Sequence, residues 1–330
     1  MSTSSEILSD ARWLPHAFDP VRGAIDFVRI ERARLSEPAF LADAKPARPA
    51  DRATLALEDI RTATAEEGAP LHFIFHTAFC RSTLLVRALE IPGLSAGLSE
   101  PGIIASLAGA GRAAEPAIAP ALGLLARPWG KGEAVIVKPT NHANRLIPAL
   151  MQASPASRAV LVTNPLPSFL AAVVRKGMLG RRWARGLYAE VMGYAGMDLG
   201  MDGREQFAMT DLQAGALAWF LNQRYFDALR RQYGKRVRLI NGDAFAREPA
   251  RTLDAVGAFT GIALDGGSIA HGPVFTADAK TGEDYAAKSA RDAQATQSAV
   301  IEDEIAKTGE WIGLIAQQAG LRVPLASDLP

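Results

Sequence analysis

The chain has 330 residues, 48% of them hydrophobic, and is nearly neutral, with 36 Lys and Arg against 35 Asp and Glu. That length gives one large domain or two small ones, and the even charge argues against nucleic acid as the default partner, which needs a concentrated basic face. The single cysteine, Cys80, excludes an internal disulfide, and no apolar run reaches the length of a membrane span.

The N-terminal MSTSSEILSDARWLPH lacks the basic and apolar regions of a secretory signal, so the expected location is cytoplasmic. Residues 1–68 read as a polar, helix-leaning extension with a Pro- and Ala-rich linker, ADAKPARPADRA. From residue 69 short β-rich runs, at 71–76, 94–98, 133–138, 158–163 and 236–240, alternate with helical stretches. The latter lie at 82–90, 102–109, 142–152, 165–175, 180–195, 211–233 and 249–260. Such alternation needs crossover connections, hence a mostly parallel sheet covered by helices on both faces. Residues 69–265 are thus expected to be an α/β core. Residues 266–330 follow as a loop, GPVFTADAKTGEDY, and a long helix at about 288–318 that packs on the core or joins two subunits as a homodimer.

Open α/β sheets place ligands outside the carboxyl ends of their strands, and four loops qualify. The first follows LHFIFH: Thr77, Ala78, Phe79, Cys80 and Arg81 turn the chain into a helix that opens on Ser82 and Thr83. Unpaired N–H groups, the positive end of the helix dipole and two hydroxyls make an anion cradle there; the plainer alternative is a βα junction with Ser82 as a cap. It is not a Walker A loop, having neither Gly nor Lys. His76 ends the run before it, and His72 belongs to the core.

In the second loop, SEPG, Glu100 can serve as a general base or simply as an acid favoured by a helix start. In the third, KPTNH, Lys138 can neutralise an anion, Asn141 can cap a helix, and His142 is either a second base or structural. The fourth, TNPLPS, offers Thr163 and Asn164 as neutral donors. Arg175, Lys176, Arg181, Arg182 and Arg185 cluster in RKGMLGRRWARG, as a solvated face or an anion-steering patch. Cys80 beside Arg81 lacks a second Cys or a His partner in sequence, and no Cys/His cluster has metal-ligand spacing.

In order and spacing these loops resemble the bacterial sulfotransferase family over residues 70–265. The segments are FCRSTLL, SEP, KPTNH, RAVLVTNPLPSFLAA and VRLINGDAFAREPARTLDAVGAFTGI. The resemblance implies a P-loop-type three-layer fold and a sulfuryl transfer from 3′-phosphoadenosine-5′-phosphosulfate (PAPS), without a metal, to a hydroxyl or amine of a small-molecule or peptide acceptor. It implies that Ser82 and Thr83, with Thr77, Phe79, Cys80 and Arg81, hold the phosphosulfate, and that Glu100, with Lys138 and His142, carries the chemistry.

The chain departs from the family where a basic residue and a Gly are usual, at Phe79 and Arg81, and where the 3′-phosphate Arg and Ser are usual, at Thr163 and Ala171. Replacing a charged contact by a hydroxyl should lose about 1.5–3 kcal/mol. Arg175, Lys280 or Arg291 are the cations that could substitute. The alternatives are a nucleotide-dependent phosphotransferase on the same scaffold and a catalytically inactive binding module.

Overall fold

The computed structural model describes residues 3–62, 68–276 and 298–330. Its strands are β1 (Trp13–Asp19), β2 (Ala24–Arg29), β3 (Arg52–Ala56), β4 (Leu71–His76), β5 (Ser95–Ser99), β6 (Ala134–Lys138), β7 (Ala159–Thr163) and β8 (Val237–Asn241). The last five form one parallel sheet in the order β5–β6–β4–β7–β8, with helices in the connections. Every residue of β4, β5, β6 and β7 is buried, which is why runs such as AVIVK and AVLVT carry no polar alternation. Each of these five strands begins and ends within one residue of the run read from the sequence.

The N-terminal segment corrects an expectation. In place of a helix-leaning extension, it contains an antiparallel sheet in the order β1–β2–β3, between two short helices, Ser4–Ser9 and Leu57–Thr62. Pro15 and a register shift between Pro15 and Ala17 interrupt the period-two pattern of β1, and tertiary pairing overrides the weak local signal. The last helix, Ala299–Gln318, begins later than the expected 288; Lys280 and Arg291 lie outside the described residues.

The described residues divide into two compact units. One takes those of Met1–His76, Ser82–Val160 and Pro249–Gly282; the other takes those of Thr77–Arg81, Leu161–Glu248 and Glu283–Pro330.

In the first unit the N-terminal sheet is held by buried charge. The Arg127 guanidinium donates to the carbonyls of Ile7 (2.6 Å), Asp10 (2.9 Å), Leu124 (2.7 Å) and Trp13. Burial pushes it down to about 10, so it stays charged, and these carbonyls, with that of Leu8 at 3.4 Å, take the place of its water. Arg32 binds Glu90 at 2.9 Å, Glu133, and the Ser95 carbonyl at 3.0 Å, tying the chain after β2 to the start of β5. The Ser82–Ala88 helix lies so close to β5 that a Cβ on Gly97 would stand 2.3 Å from the Val86 carbonyl oxygen.

In the second unit the helices Leu166–Arg175, Gly177–Ala195, Asp211–Tyr233 and Ala299–Gln318 share one apolar core, with Phe169, Leu187, Val191, Leu217, Phe220 and Ile312 inside it. Thr210 and Gln213 form a capping box at the start of the Asp211–Tyr233 helix. The C-terminal tail returns to β8, where Asp328 exchanges backbone and side-chain hydrogen bonds with Leu239 at 2.8 Å.

Within the first unit, His72 is buried in β4 and accepts a hydrogen bond from the Arg158 amide at 3.2 Å through Nδ1. Burial, then the Arg158 charge, pushes its imidazole down to about 4 from the usual 6.5. The unfolded chain therefore binds a proton below about 6.5 that the folded chain refuses until about 4. Stability should fall through that window as pH drops, by on the order of 3 kcal/mol. Urea unfolding across that range should show the slope, and His72→Asn, which keeps an acceptor but not the titration, should remove it.

Candidate active site

Glu100, Lys138 and His76 meet at the carboxyl ends of three adjacent strands, all in the first unit. Ser99 and Lys138 pair in register on β5 and β6, so Glu100 leaves its strand directly above the lysine. Lys138 is fully buried, and its ammonium rests on Glu100 Oε1 beneath the Phe40 ring, 5.3 Å from the centroid. His76 Nε2 lies 3.9 Å from the same carboxylate oxygen and 3.1 Å from the Pro139 carbonyl. A carbonyl only accepts, so Nε2 carries the hydrogen.

The backbone of Glu100 is as constrained as its side chain. Its φ is 49°, a region that residues with a Cβ avoid. Its amide donates to the Lys138 carbonyl at 2.6 Å, and its carbonyl accepts from the Ala42 amide at 2.9 Å. Two backbone bonds and an ion pair thus fix a carboxylate that is 15% exposed. Its Oε2 makes no hydrogen bond among the described residues. Lys138, expected to neutralise an anion, spends its charge inward on Glu100. His142 is exposed on the Asn141–Leu146 turn, whereas the neighbouring Asn144 points inward and donates to the His76 carbonyl at 3.0 Å.

Ser82 and Thr83 open the Ser82–Ala88 helix as expected, and both are buried. The turn before them takes its shape without glycine: Ala78, Phe79 and Arg81 have φ of 72°, 50° and 64°. Such geometry persists only where the surroundings over-determine it, and the second unit does so point by point. The Thr77 amide donates to the Val162 carbonyl at 3.1 Å. The Phe79 ring packs on Phe169 and Trp183, with centroids at 5.9 and 5.0 Å, and its carbonyl accepts from Asn164 Nδ2 at 3.3 Å. The Cys80 carbonyl sits against Gly242, where a Cβ would approach it to 2.0 Å. Arg81 Nε faces Asp243 Oδ1 at 3.4 Å, and Ser168 donates to the other oxygen of that carboxylate at 2.6 Å.

Thr163 is buried, and its hydroxyl accepts from Gln223, itself anchored by the Leu325 amide at 3.1 Å. Asn164 is buried too, with Oδ1 unpartnered; so is Thr77, with Oγ1 unpartnered. Cys80 is buried, in keeping with a loop residue. Lys280 lies outside the described residues.

Phe40, Gln223 and Asp243 are the participants that the sequence reading missed. Asp243 had a usable signal, since it follows a β-rich run just as Glu100 does. Phe40 and Gln223 had none, because each acts from an element far away in sequence.

No family model and no curated protein sequence matches the chain. Among solved structures it is similar to the sulfotransferase domain from the curacin biosynthetic pathway, at 12% identity and a TM-score of 0.40, covering 78% of this chain and 99% of that one. It is also similar to the sulfotransferase domain from the Synechococcus PCC 7002 olefin synthase, at 12% identity and a TM-score of 0.38, covering 80% and 92%. Among the described residues no helix is long and apolar enough to cross a membrane.

Removing one partner of a buried pair strands the other. Glu100→Ala should therefore destabilise the protein by about 3 kcal/mol, whereas Glu100→Ala with Lys138→Met, which removes both charges, should recover at least half of the loss. Urea unfolding of the two variants checks this.

Proposed function

We propose that the chain is a sulfuryl-transfer enzyme in which Glu100 takes the proton from an acceptor hydroxyl or amine. The observation that carries this reading is the fixed carboxylate: Oε1 is tied to a buried ammonium, and Oε2 is left to accept. A general base must be held within hydrogen-bond reach of its proton, and a carboxylate locked at side chain and backbone meets that need before substrate arrives. Lys138 holds the carboxylate through Oε1, and His76 Nε2 stands 3.9 Å from the same oxygen.

The residues fit the PAPS implied by the motifs in part. Buried hydroxyls at Ser82 and Thr83, where a helix opens, suit the phosphosulfate end, which brings the activated sulfuryl group when bound. Thr163 itself carries no charge for a 3′-phosphate, and its hydroxyl is already engaged by Gln223. That engagement, with Arg81 facing Asp243, is the observation that favours the second reading, a binding module without turnover.

A thermal-shift panel with adenosine 3′,5′-bisphosphate, ADP, and ATP with magnesium separates the readings. The bisphosphate should raise the melting temperature; no shift at millimolar ligand would sink the PAPS assignment, and a magnesium-dependent ATP shift would replace it by phosphoryl transfer. Glu100→Gln should lower turnover by about 10²-fold while keeping the bisphosphate shift. Wild-type protein that binds the bisphosphate yet transfers nothing to a panel of hydroxyl and amine acceptors would leave the binding module standing.

A further inference from the structure

The basic stretch noted in the sequence folds into the corner between the Leu166–Arg175 and Gly177–Ala195 helices, and the proposed chemistry leaves it unused. Two large apolar side chains stand in water there, Met178 at 85% and Leu179 at 77% exposure. The same helix then exposes Arg182, Gly186, Ala189 and Gly193. At 100° per residue all six fall within a quarter to a third of the helix circumference. This outward face carries one charge in about four turns, unlike the usual solvated face of a surface helix. Gly186 and Gly193 lie inside the helix, where glycine weakens it, and a Cβ on either would meet nothing within 4 Å. Packing within this unit does not explain why they lack a side chain.

We infer that this face is the contact between two copies of the chain, paired antiparallel about Gly186. The face complements itself. Its bulky residues sit at one end and its flat residues at the other, so a two-fold axis at Gly186 lays Leu179 over the partner's Gly193 and Arg182 beside the partner's Ala189. Charge follows the same symmetry. Arg175, Lys176 and Arg182 crowd the amino end, while Asp198, exposed just beyond the carboxyl end, meets the partner's Lys176. Arg181 and Arg185 face inward instead, to Glu304 at 3.1 Å and to the Met209 carbonyl at 2.8 Å, and take no part. A 19-residue helix is roughly 28 Å long, and one such face covers less than the ~800 Å² per partner of a standard interface, so the pair should be a weak, micromolar dimer. A bilayer surface would call for large apolar groups along the whole face, whereas its second half is flat.

Sedimentation equilibrium on the full chain from low micromolar to submillimolar concentration tests this. The average mass should climb from 35.1 kDa toward twice that value. Gly186→Arg, which improves the helix of a single copy, should keep its melting temperature and stay monomeric. Lys176→Glu should weaken the dimer at least tenfold, and Asp198→Lys in the same chain should restore it. A wild-type chain that is monomeric throughout, or a Gly186→Arg chain that dimerises as well as wild type, overturns the inference. Co-sedimentation with anionic phospholipid vesicles by a chain that stays monomeric would overturn it in favour of a membrane surface.

Discussion

A lysine side chain with no exposure to solvent must be given a counter-charge, and in this protein the counter-charge is Glu100. Taking an ammonium out of water is unfavourable by several kcal/mol, so whatever holds the carboxylate in place becomes part of the fold. The consequences spread outward from that pair. Glu100 adopts a left-handed backbone, the Lys138 carbonyl and Ala42 amide secure it, and the segment carrying Ala42 also sets Phe40 over the ammonium. That segment is tied to the same unit by Arg87, which donates to the carbonyls of Ser36 and Pro38, and by Arg32 at its start. The stability of this region thus rests on one contact, and so does the proton transfer proposed for Glu100.

The parallel sheet was legible because its strands are buried on both faces, and burial on both faces leaves unbroken apolar runs. The N-terminal sheet was not, because Pro15 and the shifted register hide one strand and the return of β3 depends on pairing with β2 across a long connection. At the site, the strand-end rule found Glu100, Lys138 and the turn before Ser82 one at a time. It could not show that the first two touch, since they lie 38 residues apart and are joined only by the pairing of β5 with β6. Nor could it show that the lysine's charge is directed inward, or that Thr163 answers to Gln223.

The two kinds of positively charged side chain have different tasks. Arg127 and Arg32 satisfy carbonyls and carboxylates inside the first unit and brace its N-terminal part, as the planar guanidinium with its several donors suits. Lys138, a compact point charge, is paired with a carboxylate oxygen of Glu100. Exchange of one for the other would leave donors without acceptors at Glu100 or carbonyls without donors around Arg127.

The turn between β4 and the Ser82–Ala88 helix takes three left-handed residues without a glycine among them, and the backing of Gly242 against Cys80 moulds it from behind. A glycine-rich loop can close around its ligand like a glove. This one is a cast: its shape is set in advance, so in the role proposed for it discrimination among ligands would fall to size and outline rather than to closure of the loop.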